Sequence, residues 1–412
     1  MAQKEEIYVG IDIGSSKITC IVGKRESEDH LSVIGVGNSQ MTGIKKGVVV
    51  EIEETVSGIS EAVEVAERMA GVDIGNASVN INGSSIGSLN TTGVVAVSRA
   101  DKQIIKDDVL RAEAASQAVQ ISPNKEIRHI IPRMFKVDDQ ESIKDPVGMS
   151  GVRLEVETHL ITVGVQPTKN LRQVMAFAGI KIDDEIVSPL AAAKAVAQKK
   201  QMDLGCVVVD IGAATTGIIV YEDGEIFYTD VLPIGGMHIT NDIAIGLRTS
   251  IDVAEKVKIK YGYSYKKSVS EKDEIDLSEI DIKEEGRVTK RHIAEIIEAR
   301  VEEILGMVRE KLKSIEKDTL LPAGVILTGG VARMPGLEDK AKDVLRLPVQ
   351  IGMPHHLFGL TEKIYDPIYS TVVGLMLYNF EELSLGDSSS ISGEKISGVA
   401  KKIKNIFKTF LP

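Results

Sequence analysis

The chain has 412 residues, 43% hydrophobic and 26% charged, which is length enough for two or three domains that bury their own cores without a disulfide or metal staple. A net charge of −11, a pI of about 5.3 and 4% aromatics with no Trp argue against a nucleic-acid partner, both as a backbone binder and as a stacking platform. No window offers the ~18 continuous apolar residues of a spanning helix, residues 1–6 lack the apolar core of a signal peptide, and Cys20 and Cys206 sit in apolar runs away from any zinc-like spacing, so a cytosolic chain with buried, reduced thiols is expected.

In chain order, residues 9–22 (VGIDIGSSKITCIV) read as strand, tight Gly turn, strand. Ile59, Val63, Ala66 and Ala70 then follow helical spacing. Residues 207–220 (VVVDIGAATTGIIV) repeat the first frame, with Asp210 standing 198 positions after Asp12. Two copies of one α/β unit, forming two lobes around a cleft, are the natural reading of this echo. Residues 266–285 carry four Lys against eight acids, and the alternation of Ile275, Leu277, Ile280 and Ile282 predicts short solvated strands in a peripheral subdomain. Ile293, Ile296, Ile297, Val301, Ile304 and Leu305 predict a further amphipathic helix. Residues 326–331 (ILTGGV) read as a buried strand ending in two glycines, with helix signals resuming after Pro335-Gly336. Residues 385–393 (LGDSSSISG) read as a flexible linker. From Glu394 to the end, five Lys against one Glu give +4, which leaves −15 on the rest of the chain.

No P-loop or Rossmann fingerprint exists: Gly23-Lys24 is followed by Arg25, and Gly35-Val36-Gly37 ends at Gln40. The hairpins offer another way to hold phosphate, because a turn of Gly and small residues presents successive backbone N–H groups to an anion. Gly14, Ser15 and Ser16 form one candidate jaw, with Lys17 as a point charge, and Gly212, Ala213, Ala214 and Thr215 form the other. Asp12 and Asp210, just before the turns, are the candidate ligands for a hydrated Mg²⁺. Gly329, Gly330 and Val331 form a third site, where a backbone would approach a flat ligand closely.

These sites, in this order and spacing, resemble the actin–Hsp70–hexokinase superfamily of ATP-binding proteins. The resemblance implies an α/β, duplicated two-lobe fold with ATP and Mg²⁺ in the cleft. Gly235 and Gly236 also fit, as do Glu255 and Lys258, which share one helix face at i, i+3 and by resemblance face the ribose and adenine. Residues 128–162 are very similar to the distinctive inserted subdomain 1C of the FtsA family of cell-division proteins, most specifically at residues 145–151 (DPVGMSG). By this resemblance residues 1–84 and 166–200 form subdomain 1A, 85–165 form 1C, 201–240 begin 2A, 241–318 form 2B, 319–383 complete 2A and add a last 1A helix, 384–395 are a linker, and 396–412 are a membrane-targeting helix.

Two departures stand out. Ala213 and Ala214 follow Gly212 where the family carries Gly-Gly-Gly, which is tolerated only if φ stays negative. Chaperone-like and MreB-like relatives carry Glu-Pro before the connecting helix, where this chain has Ser188-Pro189, and Ser cannot act as a carboxylate base. ATP binding with slow hydrolysis at most is therefore expected, with nucleotide as a state marker or polymer glue rather than fuel.

In the tail, Ile396, Val399, Ile403, Ile406, Phe407, Phe410 and Leu411 keep one helical face while Lys401, Lys402, Lys404 and Lys408 occupy the rest. Such a helix is ~24 Å long, too short and too charged to span a bilayer but suited to lying in the interface of anionic lipid. Gly398 predicts fraying in water. Docking on the chain's own body or on a partner is the other reading, and the preceding linker disfavours tight docking. The resemblance implies an adaptor that links FtsZ filaments to the cytoplasmic face of the membrane at the septum, self-associates into protofilaments and recruits later division proteins. It leaves the FtsZ surface loosely around residues 264–290. Two other readings are a pilus-assembly adaptor of related architecture, which would not be expected to carry this tail, and a small-molecule kinase, which would need a catalytic Asp beyond Asp12 and Asp210.

Overall fold

A computed structural model describes residues 6–27, 30–282, 284, 286–355 and 357–387. The tail helix expected over residues 396–412, with all its membrane-facing residues, lies outside the described residues. The first lobe is a six-stranded sheet in the order Lys181–Val187, Asn76–Ile81, Ile7–Ile13, Lys17–Ser27, His30–Gln40, Phe358–Gly359. Its first three strands are parallel, while Ile7–Ile13, Lys17–Ser27 and His30–Gln40 form an antiparallel meander. The central strand Ile7–Ile13 and the first half of Lys17–Ser27 are buried along almost their whole length because helices cover both faces. The Ile52–Ala70 helix packs through Ala62 and Ala66 over Gly37 and Gly35, and the Ser370–Asp387 helix packs on the opposite face over Gly10.

The second lobe repeats the plan. Its five strands run Glu225–Leu232, Thr216–Glu222, Cys206–Ile211, Gly324–Thr328, Val349–Ile351, again an antiparallel meander joined to parallel neighbours. The two echoed segments occupy equivalent places, Ile7–Ile13 with Lys17–Ser27 in one sheet and Cys206–Ile211 with Thr216–Glu222 in the other. Cys20 and Cys206 are both buried, with burial pushing the Cys206 thiol up to about 12. The Lys290–Ser314 helix buries Ile293, Ile297, Val301, Ile304 and Leu305, while Ile296 is partly buried.

Two segments differ from their expected form. Among the described residues of 266–285 the strand is only Glu274–Asp276, paired with Arg287–Thr289; Ile275 and Leu277 are buried, but Leu277 opens a 3₁₀ turn and Ile282 is 93% exposed. Alternation persists for too few residues there to sustain a ladder. The Ser370–Asp387 helix also continues into the stretch read as a linker, through Leu385, Gly386 and Asp387.

Between the halves of the first lobe sits a four-stranded antiparallel sheet, Gly87–Ala96, Arg153–Gly164, Lys125–Val137, Gln140–Ile143, backed by the Lys106–Ser116 helix. Its core is Val97, Ile104, Val109, Ala112, Phe135, Val137, Leu154 and Val156. The 145–151 run is laced to the loop before the helix: Ile104 N–H donates to Met149 O at 2.9 Å and Gly151 N–H to Lys102 O at 3.0 Å. This insert also meets the second lobe across a polar seam. Ser88 Oγ donates to Thr229 O at 2.7 Å and accepts from Thr229 N–H at 2.9 Å, and Asn90 Nδ2 donates to Phe227 O at 3.0 Å. His159 completes the seam against Asn90 Oδ1 at 2.7 Å and Thr229 Oγ1 at 3.0 Å, its pKa driven down to about 3 by burial and then by Arg133, so it is neutral.

Two helices join the lobes. Ser188–Val196 begins with Pro189 in its first turn and is buried almost throughout. The Ser370–Asp387 helix packs against it so closely that a Cβ on Gly374 would lie 1.8 Å from Ala191 O. Only glycine permits that approach.

Candidate functional site

The two echoed turns close with the same hydrogen bond. Gly14 N–H donates to Lys17 O at 3.1 Å, and Gly212 N–H donates to Thr215 O at 2.9 Å. None of Gly14, Gly212, Ala213 and Ala214 adopts positive φ, so the alanines meet the condition the sequence set for them and carry no steric penalty. Gly235 and Gly236 buttress the second turn from behind: Gly236 N–H reaches Gly212 O at 2.9 Å, Met237 N–H reaches Ala213 O at 2.7 Å, and a Cβ on Gly235 would lie 2.5 Å from Gly212 O.

Both turns face one cavity. Its walls include Asp12, Gly14, Ser15, Ser16 and Lys17 from the first lobe and Asp210, Gly212, Ala213, Ala214, Thr215, Gly329 and Gly330 from the second. Asp12 and Asp210 lie deep in the molecule, each partly facing the cavity. Burial, and then the charge of Asp210, lifts Asp12 to about 7 despite Lys17. Burial lifts Asp210 to about 6, opposed by a hydrogen bond from Thr371 Oγ1 at 3.1 Å. Burial depresses the Lys17 pKa, with Asp12 and then Asp366 acting against it. Lys17 Nζ also lies 4.7 Å over the Tyr369 ring.

Two desolvated carboxylates facing one cavity are the electrostatic condition a divalent cation relieves. Among the described residues no group of three or more His, Cys, Asp or Glu could hold a metal ion. The donor set therefore suits a hydrated Mg²⁺ that keeps waters and takes one or two carboxylates beside phosphate.

Gly329 takes φ +84°, and a Cβ there would stand 2.2 Å from Asp210 Oδ1. The strand therefore passes the carboxylate with no side chain between them. Val331, Gly236, Glu255 and Lys258 stand off the cavity wall as a cluster. Lys258 Nζ donates to Glu255 Oε2 at 2.6 Å, to Thr240 Oγ1 at 2.8 Å and to Gly236 O at 3.2 Å, and a Cβ on Gly236 would meet Val331 at 2.9 Å. Glu255 and Lys258 do share one helix face, and they pair with each other there. His238 caps its own helix by accepting from Gly235 N–H at 3.2 Å.

Several wall residues are not marked in the sequence: Asn82, Pro367, Ile368 and Thr371 line the cavity beside Ser188, and Asn80 lies just behind it. Asn82 Nδ2 crosses from the first lobe to Thr215 Oγ1 at 3.1 Å. Ser188 Oγ is buried and donates to Ile81 O at 3.2 Å. A buried Asn in an otherwise apolar strand end (NASVNI) was the available signal for Asn80.

Residues 207–374 match the family described as cell division protein FtsA, and residues 83–162 match the SHS2 domain inserted in FtsA. Cell division protein FtsA of Pseudomonas aeruginosa is 38% identical over 395 residues, covering 96% of this chain and 94% of the relative. That of Bacillus subtilis is 43% identical over 90% of this chain and 83% of the relative, and that of Escherichia coli 31% over 98% and 97%. Among solved structures, a chain of the PilM–PilN type IV pilus biogenesis complex superposes with TM-score 0.66 at 16% identity, covering 91% of this chain and 98% of its own. MreB5 of Spiroplasma citri bound to ADP superposes with TM-score 0.55 at 13% identity, covering 93% and 99%. These superpositions establish an actin-like fold, and the sequence matches establish the family: this chain is a member of the cell division protein FtsA family.

Proposed function

We propose that the cleft binds Mg²⁺-ATP and that nucleotide occupancy marks the state of an adaptor tethered to anionic lipid by residues 396–412. The observation that carries this reading is the pairing of two identically closed turns around one cavity, each with a desolvated carboxylate behind it. The turns offer backbone N–H groups and Lys17 to phosphate, while Asp12 and Asp210 hold the hydrated cation. Bound Mg²⁺ would neutralise phosphate charge. The chain's own residues orient the nucleotide and close the two lobes on it.

Ser188 stands where a base or water anchor would be useful, but it is a hydroxyl already donating to Ile81 O. The carboxylates on the cavity wall are Asp12 and Asp210, both assigned to the cation. Slow hydrolysis is therefore expected, and among the described residues no third carboxylate lies on the wall to activate a phosphoryl acceptor, which disfavours the kinase reading. Family membership supports a cell-division role with FtsZ filaments, further copies of the chain and downstream division proteins as partners at the septum. The charged subdomain around residues 264–290 is the proposed FtsZ surface. No helix among the described residues is long and apolar enough to cross a membrane, so the proposed attachment is peripheral and rests on the tail.

Calorimetric titration of ATP tests the cleft. Binding that needs Mg²⁺ and is lost in Asp12→Asn and Asp210→Asn supports the reading; equal binding by both variants would remove it.

A further inference from the structure

The Ser370–Asp387 helix belongs to the first lobe by its packing. A Cβ on Gly10, two residues before Asp12, would lie 2.6 Å from Val372 O and 2.8 Å from Met376 N. Asn379 Oδ1 accepts from Val9 N–H at 3.1 Å on the same strand, and Asn379 Nδ2 donates to Ser78 Oγ at 3.2 Å. Helix and strand are thus meshed at backbone contact, so the position of one fixes that of the other.

The helix N-terminus nevertheless reaches into the second lobe. Ser370 Oγ and Thr328 Oγ1 are 2.6 Å apart, and Thr371 Oγ1 donates to Asp210 Oδ2 at 3.1 Å. Thr371 is nearly buried and is the side-chain donor found on Asp210 among the described residues. One rigid helix therefore holds Asp12 through its strand and Asp210 through a single hydroxyl.

We infer that Thr371 is a positioning residue of the cation site, orienting the Asp210 carboxylate across the cleft from Asp12 so that the two would hold a hydrated Mg²⁺ together. This role of Thr371 rests on the proposed Mg²⁺-nucleotide reading of the cleft. A carboxylate that must share a hydrated cation with a partner on another domain gains from a donor that orients it before binding, and loss of such an outer partner typically weakens metal affinity 10–100-fold. Asp12 has its own orienting donor, Asn80, on a neighbouring strand of its own sheet. Asp210 takes its donor from the opposite lobe, so the bond forms only when the lobes hold their present relation.

The test uses the full chain with Thr371→Val, Thr371→Ser and wild type. The dissociation constant for ATP is measured with saturating Mg²⁺ and again in EDTA, and the ratio of the two reports the cation's contribution. Thr371→Val is expected to cut that ratio about 10-fold with its EDTA value unchanged, and Thr371→Ser to stay within about two-fold of wild type. A merely structural role would lower the melting temperature while leaving the ratio intact, and that result would overturn the inference. If Thr371→Val does not fold, a Thr371→Ser ratio within two-fold of wild type beside a Thr371→Ala ratio reduced about 10-fold supports it, and equal ratios in both variants overturn it. A wild-type ratio near one would instead remove the Mg²⁺ reading itself, a distinguishable failure.

Discussion

Asn80 Nδ2 donates to Asp12 Oδ1 at 2.7 Å, and Asn80 Oδ1 accepts from Ile13 N–H at 2.7 Å, so one buried amide fixes the carboxylate and the strand end that carries it. The same Nδ2 lies 3.1 Å from Ser188 Oγ. Ser188 is thus part of the support behind the cation site. Asn80→Ala removes the donor on a partly desolvated carboxylate and strands the buried Ile13 N–H, which costs about 1–3 kcal/mol; urea denaturation should show it, and Mg²⁺-dependent ATP affinity should fall with it. Ser188→Ala should cost about 1 kcal/mol and leave the single-turnover hydrolysis rate unchanged. A rate drop of tenfold or more would make Ser188 a participant in hydrolysis.

The paired carboxylates predict a pH dependence whose sign follows from their direction. Asp12 is raised to about 7 and Asp210 to about 6, from 3.8 for both. Between these limits the folded state binds more protons than the unfolded, so their stabilising contribution is complete below about pH 4 and is lost as pH rises through 6 to 7. Asp12→Asn should therefore match wild type in stability near pH 4 and exceed it by about 2 kcal/mol at pH 8 without nucleotide. Glu113, raised to about 7 by burial, adds the same trend to both proteins and cancels in the difference. Saturating Mg²⁺-ATP should reverse the order at pH 8. A pH-independent difference between the proteins would contradict the burial of this charge.

Gly329 has no room for a side chain, since φ is +84° and a Cβ would press on Asp210 Oδ1 at 2.2 Å. Gly329→Ala is expected to cost about 2–3 kcal/mol from backbone strain and displacement of Asp210. Gly330→Ala, where a Cβ meets nothing within 4 Å, should be tolerated. Thermal unfolding of the two variants separates a conformational demand from a general intolerance of the turn.

The echo of Asp12 and Asp210 was legible because each site is built from one continuous stretch, in which strand, turn and carboxylate follow one another. Ile326–Val331 could be read for the same reason. Asn80, Asn82 and Thr371 were not legible, because their partners lie 68, 133 and 161 residues away and nothing local marks them beyond a polar residue near an apolar element's end. The peripheral subdomain differs for another reason: the alternating pairs Ile275/Leu277 and Ile280/Ile282 predict short strands, but the chain turns after Asp276. The 385–393 stretch was read by its Ser and Gly content, yet the preceding helix runs to Asp387.

The seam between insert and second lobe depends on Ser88, which serves both backbone groups of Thr229. Ser88→Ala should leave those groups without their partner, costing about 1–2 kcal/mol, and hydrogen exchange over Glu225–Leu232 should quicken about tenfold. His159 acts with the opposite sign to Asp12: being held neutral, it makes stability fall as pH drops below about 6.5 towards 3. Unchanged exchange in Ser88→Ala would show that the seam carries no load.

The most direct test of a nucleotide-marked membrane adaptor is co-sedimentation with anionic liposomes, comparing the full chain with one ending at Gly386, each with and without Mg²⁺-ATP. The account predicts that only the full chain pellets and that Mg²⁺-ATP increases the pelleted fraction. Equal pelleting of the truncated chain, or no pelleting of either, would contradict it.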